Sequence, residues 1–176
     1  EEDPGEFPLN LNIEITTKCN LACTFCYHRE LEKEQKIHMD FDLFKTIIDE
    51  AKIYKLPAVN LNGLGEPVTH PRLVDMIKYC KDANIEDVMF HTNGTVMTKK
   101  FAKKLIEAGL TQIIFSLDTT DKKIFEEMRV GANFEKVNGN VELFIKTRNK
   151  LGSKLPIVRT TMVLTDKTIN QVKAFK

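Results

Sequence analysis

The chain has 176 residues, 42% hydrophobic and 29% charged, a profile that argues against disorder except at the ends and suits a globular domain with its own core. Its 26 Lys and Arg against 25 Asp and Glu leave a formal net charge of +1, without the basic footprint of a protein that binds duplex nucleic acid or an anionic membrane. No apolar run reaches membrane-span length. The acidic start Glu1-Glu2-Asp3-Pro4-Gly5-Glu6 is the reverse of a signal peptide, and four Cys are too few for a disulfide scaffold, so a cytoplasmic protein with free thiols is expected.

Residues 1–10 read as a polar tail and 11–176 as one domain. Leu11 to Thr16 alternates with period two and predicts strand one. Asp40 is a good N-cap for a helix that presents Phe41, Phe44, Ile48 and Ala51 on one face. Residues 58–62 predict strand two. A second helix carries Leu73, Met76, Ile77 and Cys80 on its apolar side, which places Cys80 in the core. Strand three, 87–91, stops at the Asn93-Gly94 turn signal. Thr98 caps a third helix, and Gly109 stands where a left-handed C-terminal residue belongs. Strand four, 112–117, is nearly continuous in apolar character, as a buried parallel strand is. A short helix from Asp121 and a longer one from Asn133, with Val137, Val141, Phe144 and Ile145 on one side, lead to strand five, 156–163. Strands alternating with helices predict an α/β fold of parallel βαβ units, closed either as an open doubly wound sheet or as a barrel. The helical pattern under way at Lys176 suggests a core that continues beyond it.

The informative segment follows strand one, at the carboxyl end where α/β folds build their sites: Cys19-Asn20-Leu21-Ala22-Cys23-Thr24-Phe25-Cys26-Tyr27. Three thiolates in one loop are soft ligands that select zinc or an iron–sulfur cluster. A structural zinc site takes a fourth ligand, for which His28 and His38 are the candidates; a cubane on three cysteines leaves one iron open for a substrate or cofactor. His70, in Thr69-His70-Pro71, reads as a turn residue, His91 as a strand-end residue within reach of the site or structural, and Glu32 to Lys36 as a solvated charged run.

Cys19-x3-Cys23-x2-Cys26 with Phe25 resembles the signature loop of the radical S-adenosylmethionine (radical SAM) enzymes. Gly63-Leu64-Gly65-Glu66-Pro67, Thr92-Asn93-Gly94 and Ser116-Leu117-Asp118 resemble further motifs of that family, each at the end of a successive strand. The resemblance is greatest to members with a C-terminal auxiliary-cluster (SPASM/twitch-type) extension. It implies a partial (β/α)6 TIM-like barrel whose last βα unit is absent. It also implies a 4Fe–4S cluster held by Cys19, Cys23 and Cys26, with S-adenosylmethionine on the open iron. Reductive cleavage then yields a 5′-deoxyadenosyl radical that takes a hydrogen atom from a small-molecule or peptide substrate, an oxidoreductase, maturase or related radical reaction. A flavodoxin or ferredoxin would supply the electron.

In that frame Phe25 shields the cluster and Tyr27 meets the adenine edge. Gly63, Gly65 and Glu66 form a turn whose glycines permit close backbone approach and positive φ, with carbonyls for the ammonium group. Ser116 and Asp118, period-two partners, face the interior and suit the ribose, as does Asn93; Asp118 is alternatively a helix cap. Arg129, or Arg159 in strand five, pairs with the carboxylate, and Met162 or Val163 packs against the adenine or in the core. A zinc-stabilised binding module is the competing reading; it has no use for Gly65, Glu66, Asn93, Ser116 or Asp118 at successive strand ends.

Overall fold

Helix starts in this chain are set by side chains that accept hydrogen bonds from otherwise unpaired N–H groups. In the computed structural model, which describes residues 7–175, Asp40 accepts from Asp42 and Leu43 N–H to open α1 (Phe41–Ile53). Thr98 opens α3 (Lys99–Glu107), Asp121 opens α4 (Lys122–Met128) and Asn133 opens α5 (Phe134–Lys150) in the same way. The remaining helices are α2 (Leu73–Asp82) and the short α6 (Val172–Phe175). Gly109, just past α3, has the expected left-handed conformation, with φ of 92°.

Between the helices run β1 (Asn10–Asn12), β2 (Ala58–Asn60), β3 (Asp87–Thr92), β4 (Gln112–Ser116) and β5 (Ile157–Thr161). They form one parallel sheet in the order β1-β2-β3-β4-β5. Each strand therefore pairs with its sequence neighbours, the winding of a barrel wall, whereas a doubly wound sheet reverses its strand order part-way. Among the described residues no helix is long and apolar enough to cross a membrane.

Strand one is shorter than the period-two pattern predicts. Ile13 N–H still donates to the Asn60 carbonyl at 2.8 Å, but the Ile15 carbonyl accepts from Met39 N–H and Thr16 bridges antiparallel to His38. The chain returning from the cysteine loop has taken over these backbone groups. Ile13 and Ile15 remain buried, so the alternation reports burial where ladder pairing has already stopped. The predicted tail also contributes: Phe7 stacks on Tyr54, ring centroids 4.3 Å apart.

The two faces of the sheet differ. Val59, Val88, Phe90, Ile113 and Phe115 point into a helix-covered core with Phe44, Ile48, Met76, Ile77, Cys80 and Phe144. Burial there pushes the Cys80 thiol up to about 12. The other face is largely polar and open. Asn12, Asn60, Met89, Gln112 and Ile157 lie in register across it as one row, and His91, Ile114 and Arg159 as the next.

Candidate active site

The cysteine loop is held from both sides by backbone hydrogen bonds. Ala22 and Thr24 N–H donate to the Val130 and Met128 carbonyls at the end of α4, at 3.0 and 2.8 Å. The Lys18 carbonyl accepts from Glu66 N–H at 2.8 Å and from the Thr69 hydroxyl at 3.2 Å. Cys19, Cys23 and Cys26 are free thiols, and all three line one cavity at the carboxyl ends of the strands. Gly63 to Glu66 after β2, His91, Thr92 and Asn93 at the end of β3, Ser116 ending β4, and Arg129 complete its wall with Leu21 and Phe25.

Gly65 explains how the second turn approaches so closely. A Cβ there would collide with the Thr16 carbonyl oxygen and lie 2.7 Å from that of Lys18. At Gly63 it would collide with the Glu14 side chain, which accepts from Leu64 N–H. Neither glycine is in the left-handed region, so the expectation of positive φ at this turn does not hold. The turn needs hydrogen in place of a side chain, against the chain's own backbone.

Glu66 is buried and braces the next turn. Its carboxylate accepts from the Thr92 hydroxyl at 2.8 Å and from Asn93 N–H at 2.6 Å. Burial raises its pKa, an effect that these hydrogen bonds and the charge of Arg129 only partly offset. The Asn93 amide donates to Asn20 inside the cysteine loop at 2.8 Å and accepts from Thr95, whose hydroxyl also accepts from Asn20 at 2.7 Å. Asn20 and Thr92 stand inside the motifs quoted above without a role of their own, and Thr95 lies just beyond them. Their signal lay in their places, between the first two cysteines and on either side of Asn93-Gly94.

Ser116 faces the cavity, but Asp118 does not continue the alternation. The strand ends at Ser116, and Asp118 has φ of 64°, which turns its side chain away from the cavity wall. Its buried carboxylate pairs with Arg129 Nε at 2.7 Å and accepts from Val163 N–H at 2.9 Å. It is also not a helix cap; Asp121 fills that role. Arg159 lies on the exposed face of β5, hydrogen-bonded to Gln112, and does not line the cavity; Val163 is 41% exposed. Phe25 lies over the Arg129 guanidinium, 5.5 Å from Cζ to the ring centroid, and Tyr27 is 66% exposed. His70 is a buried turn residue between the Met39 carbonyl and Arg72 N–H.

The donor set suits a polynuclear cluster. Burial raises the pKa of Cys19 and of Cys23, and the neighbouring thiols add to the effect, so a cationic group in the cavity would relieve both. Among the described residues no three His, Cys, Asp or Glu side chains converge as ligands of a single metal ion do. A cubane would take one iron on each of Cys19, Cys23 and Cys26, which the shared cavity allows. The two histidines that could complete a zinc site are both absent from the lining of the cavity the three cysteines share; His38 is hydrogen-bonded to Thr16, and His28 is buried with its Nε2 unpartnered.

The model of the Radical SAM superfamily matches residues 13–175. The chain is a radical SAM protein. This radical SAM chain is 32% identical over 167 residues to the tungsten-containing aldehyde ferredoxin oxidoreductase cofactor-modifying protein of Pyrococcus furiosus, across 92% of its own length and 45% of that protein. It is 30% identical over 174 residues to a probable GTP 3′,8-cyclase of Methanococcus maripaludis, across 99% of its length and 56% of the other. The crystal structure of Streptococcus suis SuiB bound to S-adenosylmethionine matches with a TM-score of 0.77 at 24% identity, covering 96% of this chain and 37% of that one. That likeness shows a shared fold, the α/β arrangement of TIM-barrel-like radical SAM proteins. The chain spans about half the length of the curated relatives it matches.

Proposed function

We propose that this chain is the core of a radical SAM enzyme, with a 4Fe–4S cluster on Cys19, Cys23 and Cys26 and S-adenosylmethionine in the adjoining cavity. One observation carries the reading: three free cysteines share a cavity with the turns that end β2, β3 and β4. When bound, the pair supplies a one-electron cleavage of the sulfonium and a carbon radical that takes a hydrogen atom from the substrate.

The chain's own residues bind and orient. The Gly63–Glu66 backbone lies beside the cysteines and offers carbonyls to the amino group. Ser116, which lines the cavity, is the ribose contact in this reading, and Asn93, through Glu66 and Asn20, holds the third turn against the cysteine loop. Phe25 and Leu21 give the cavity an apolar wall beside the charged group. Tyr27, exposed beside the loop, remains the adenine contact. Arg129 belongs to the cofactor cavity, whereas Asp118 acts through it.

The substrate we infer is a polar small molecule or a peptide. The row of Asn12, Asn60 and Gln112 with His91 and Arg159 on the open face offers amide and cationic contacts where a filled barrel places aliphatic layers. The named relatives, a cofactor-modifying protein and a probable GTP cyclase, favour a small polar molecule. The working assignment is an oxidoreductase or maturase of the cytoplasm that takes its electron from a flavodoxin or ferredoxin.

Anaerobic reconstitution with iron and sulfide, followed by EPR with and without S-adenosylmethionine, tests the reading. The expected result is a reduced-cluster signal that shifts when S-adenosylmethionine is added. A protein that stays colourless and keeps stoichiometric zinc on the three cysteines would overturn it.

A further inference from the structure

We propose that Arg129 is a positioning residue that sets the reduction potential of the cluster through Cys23, and that Asp118 holds it there. This rests on the reading above in which Cys23 is a cluster ligand.

The geometry begins at the end of β4. Leu117 and Asp118 N–H both donate to the Thr161 carbonyl of β5, at 3.1 Å each. Asp118 adopts a left-handed conformation that residues other than glycine seldom take, and its side chain is 1% exposed. Both carboxylate oxygens are committed: Oδ1 accepts from Val163 N–H at 2.9 Å, and Oδ2 accepts from Arg129 Nε at 2.7 Å. The carboxylate is fixed at two points and fixes the guanidinium in turn. Arg129, itself 8% exposed in its side chain, directs Nη1 at Cys23 Sγ, 3.9 Å away. The Phe25 ring lies over the guanidinium, and Arg129 itself is buried, so the contact is largely out of water. A clamp therefore runs from the end of β5 through a buried ion pair to one sulfur of the cysteine loop.

A fixed positive charge and an N–H donor at a ligating sulfur both favour the more negative, reduced state of a cluster, and they do so strongly where water is excluded. Asp118 opposes part of that effect but lies behind the guanidinium, farther along the clamp from the sulfur. The couple concerned is a single electron delivered by a low-potential one-electron donor. No proton moves and no bond forms or breaks at Arg129 or Asp118.

The test is the midpoint potential of the reconstituted cluster, followed by EPR during titration with dithionite before any S-adenosylmethionine is added. Arg129→Gln removes the charge and should lower the potential. Asp118→Asn leaves one oxygen for the two donors, Arg129 Nε and Val163 N–H, and frees the guanidinium from Cys23, so it should lower the potential as well, by less than Arg129→Gln does, whereas Arg129→Lys should stay nearer wild type than Arg129→Gln. Iron content and far-UV circular dichroism show which variants are folded and loaded, and each loaded variant decides by itself. A raised potential in loaded Asp118→Asn, which would make Asp118 an opposing charge and no clamp, or unmoved potentials in loaded variants, would overturn the inference. Loss of the S-adenosylmethionine-induced EPR change in Arg129→Gln at an unmoved potential would do the same, and would make Arg129 a carboxylate partner. A wild-type chain that takes up no cluster instead refutes the proposed function, and this inference with it.

Discussion

A methyl group at position 65 would have nowhere to go. It would meet two backbone carbonyls, of Thr16 and Lys18, that cannot swing aside as a side chain can. Gly65→Ala is therefore expected to destabilise the chain by about 1–3 kcal/mol or more, read as a lower thermal midpoint together with a lower iron content after reconstitution. Gly139 is the control. It lies inside α5 with open space around it, so Gly139→Ala should raise stability by about 0.5–1 kcal/mol in the same melt. The Gly63–Glu66 run is legible in the sequence as a turn at the end of strand two, and it lines the cysteine cavity. The reason for its glycines is not legible there, because the atoms they avoid belong to a segment far upstream that nothing local in the motif identifies. The same holds for Arg129 and Asp118: both were singled out as separate ligand contacts, and only the fold reveals that they bind each other.

At the scale of elements, the end of β3 depends on an acid from the turn after β2. Glu66 accepts from Thr92, Asn93 and Val68, and burial still leaves its pKa above the usual carboxylate range. The folded chain thus holds this proton more tightly than the unfolded chain does. The stability the group contributes is complete below an ordinary glutamate pKa of about 4.3 and is lost as pH rises through the raised value. Glu66→Gln should remove that contribution, so the fall in stability of the metal-free protein from about pH 4 upward becomes shallower, as urea melts at a series of pH values would measure. An equal slope in the two proteins would show that Glu66 does not titrate there. Helix starts were well legible because Asp40, Thr98, Asp121 and Asn133 cap locally. The ends of β1 and β4 were less so. Their patterns run on into Ile15 and Asp118, where the partner is a returning loop in one case and a buried ion pair in the other.

Across the whole molecule, the sheet keeps one face for folding and leaves the other for contact. Ile113→Ala, on the core face of β4, should cost about 2–5 kcal/mol. Arg159→Gln, on the exposed face of the neighbouring strand, should stay within about 0.5 kcal/mol of the parent. Chemical denaturation of both variants measures the contrast, and comparable losses would contradict a one-sided core. The parallel order and the helix-covered face were legible from the succession of strand and helix patterns. The polar rows on the other face were not, since they appear only when the register aligns Asn12, Asn60 and Gln112 across strands.

The bonds that tie Asn20 to Asn93 and Thr95, and Lys18 to Glu66, run from protein to protein. They hold the cysteine loop in place by themselves, unlike the ligand loops of zinc fingers, which take shape only around their metal. The loop's shape is therefore written into the chain's own hydrogen bonds, and fewer of its torsions have to be fixed when a ligand group arrives.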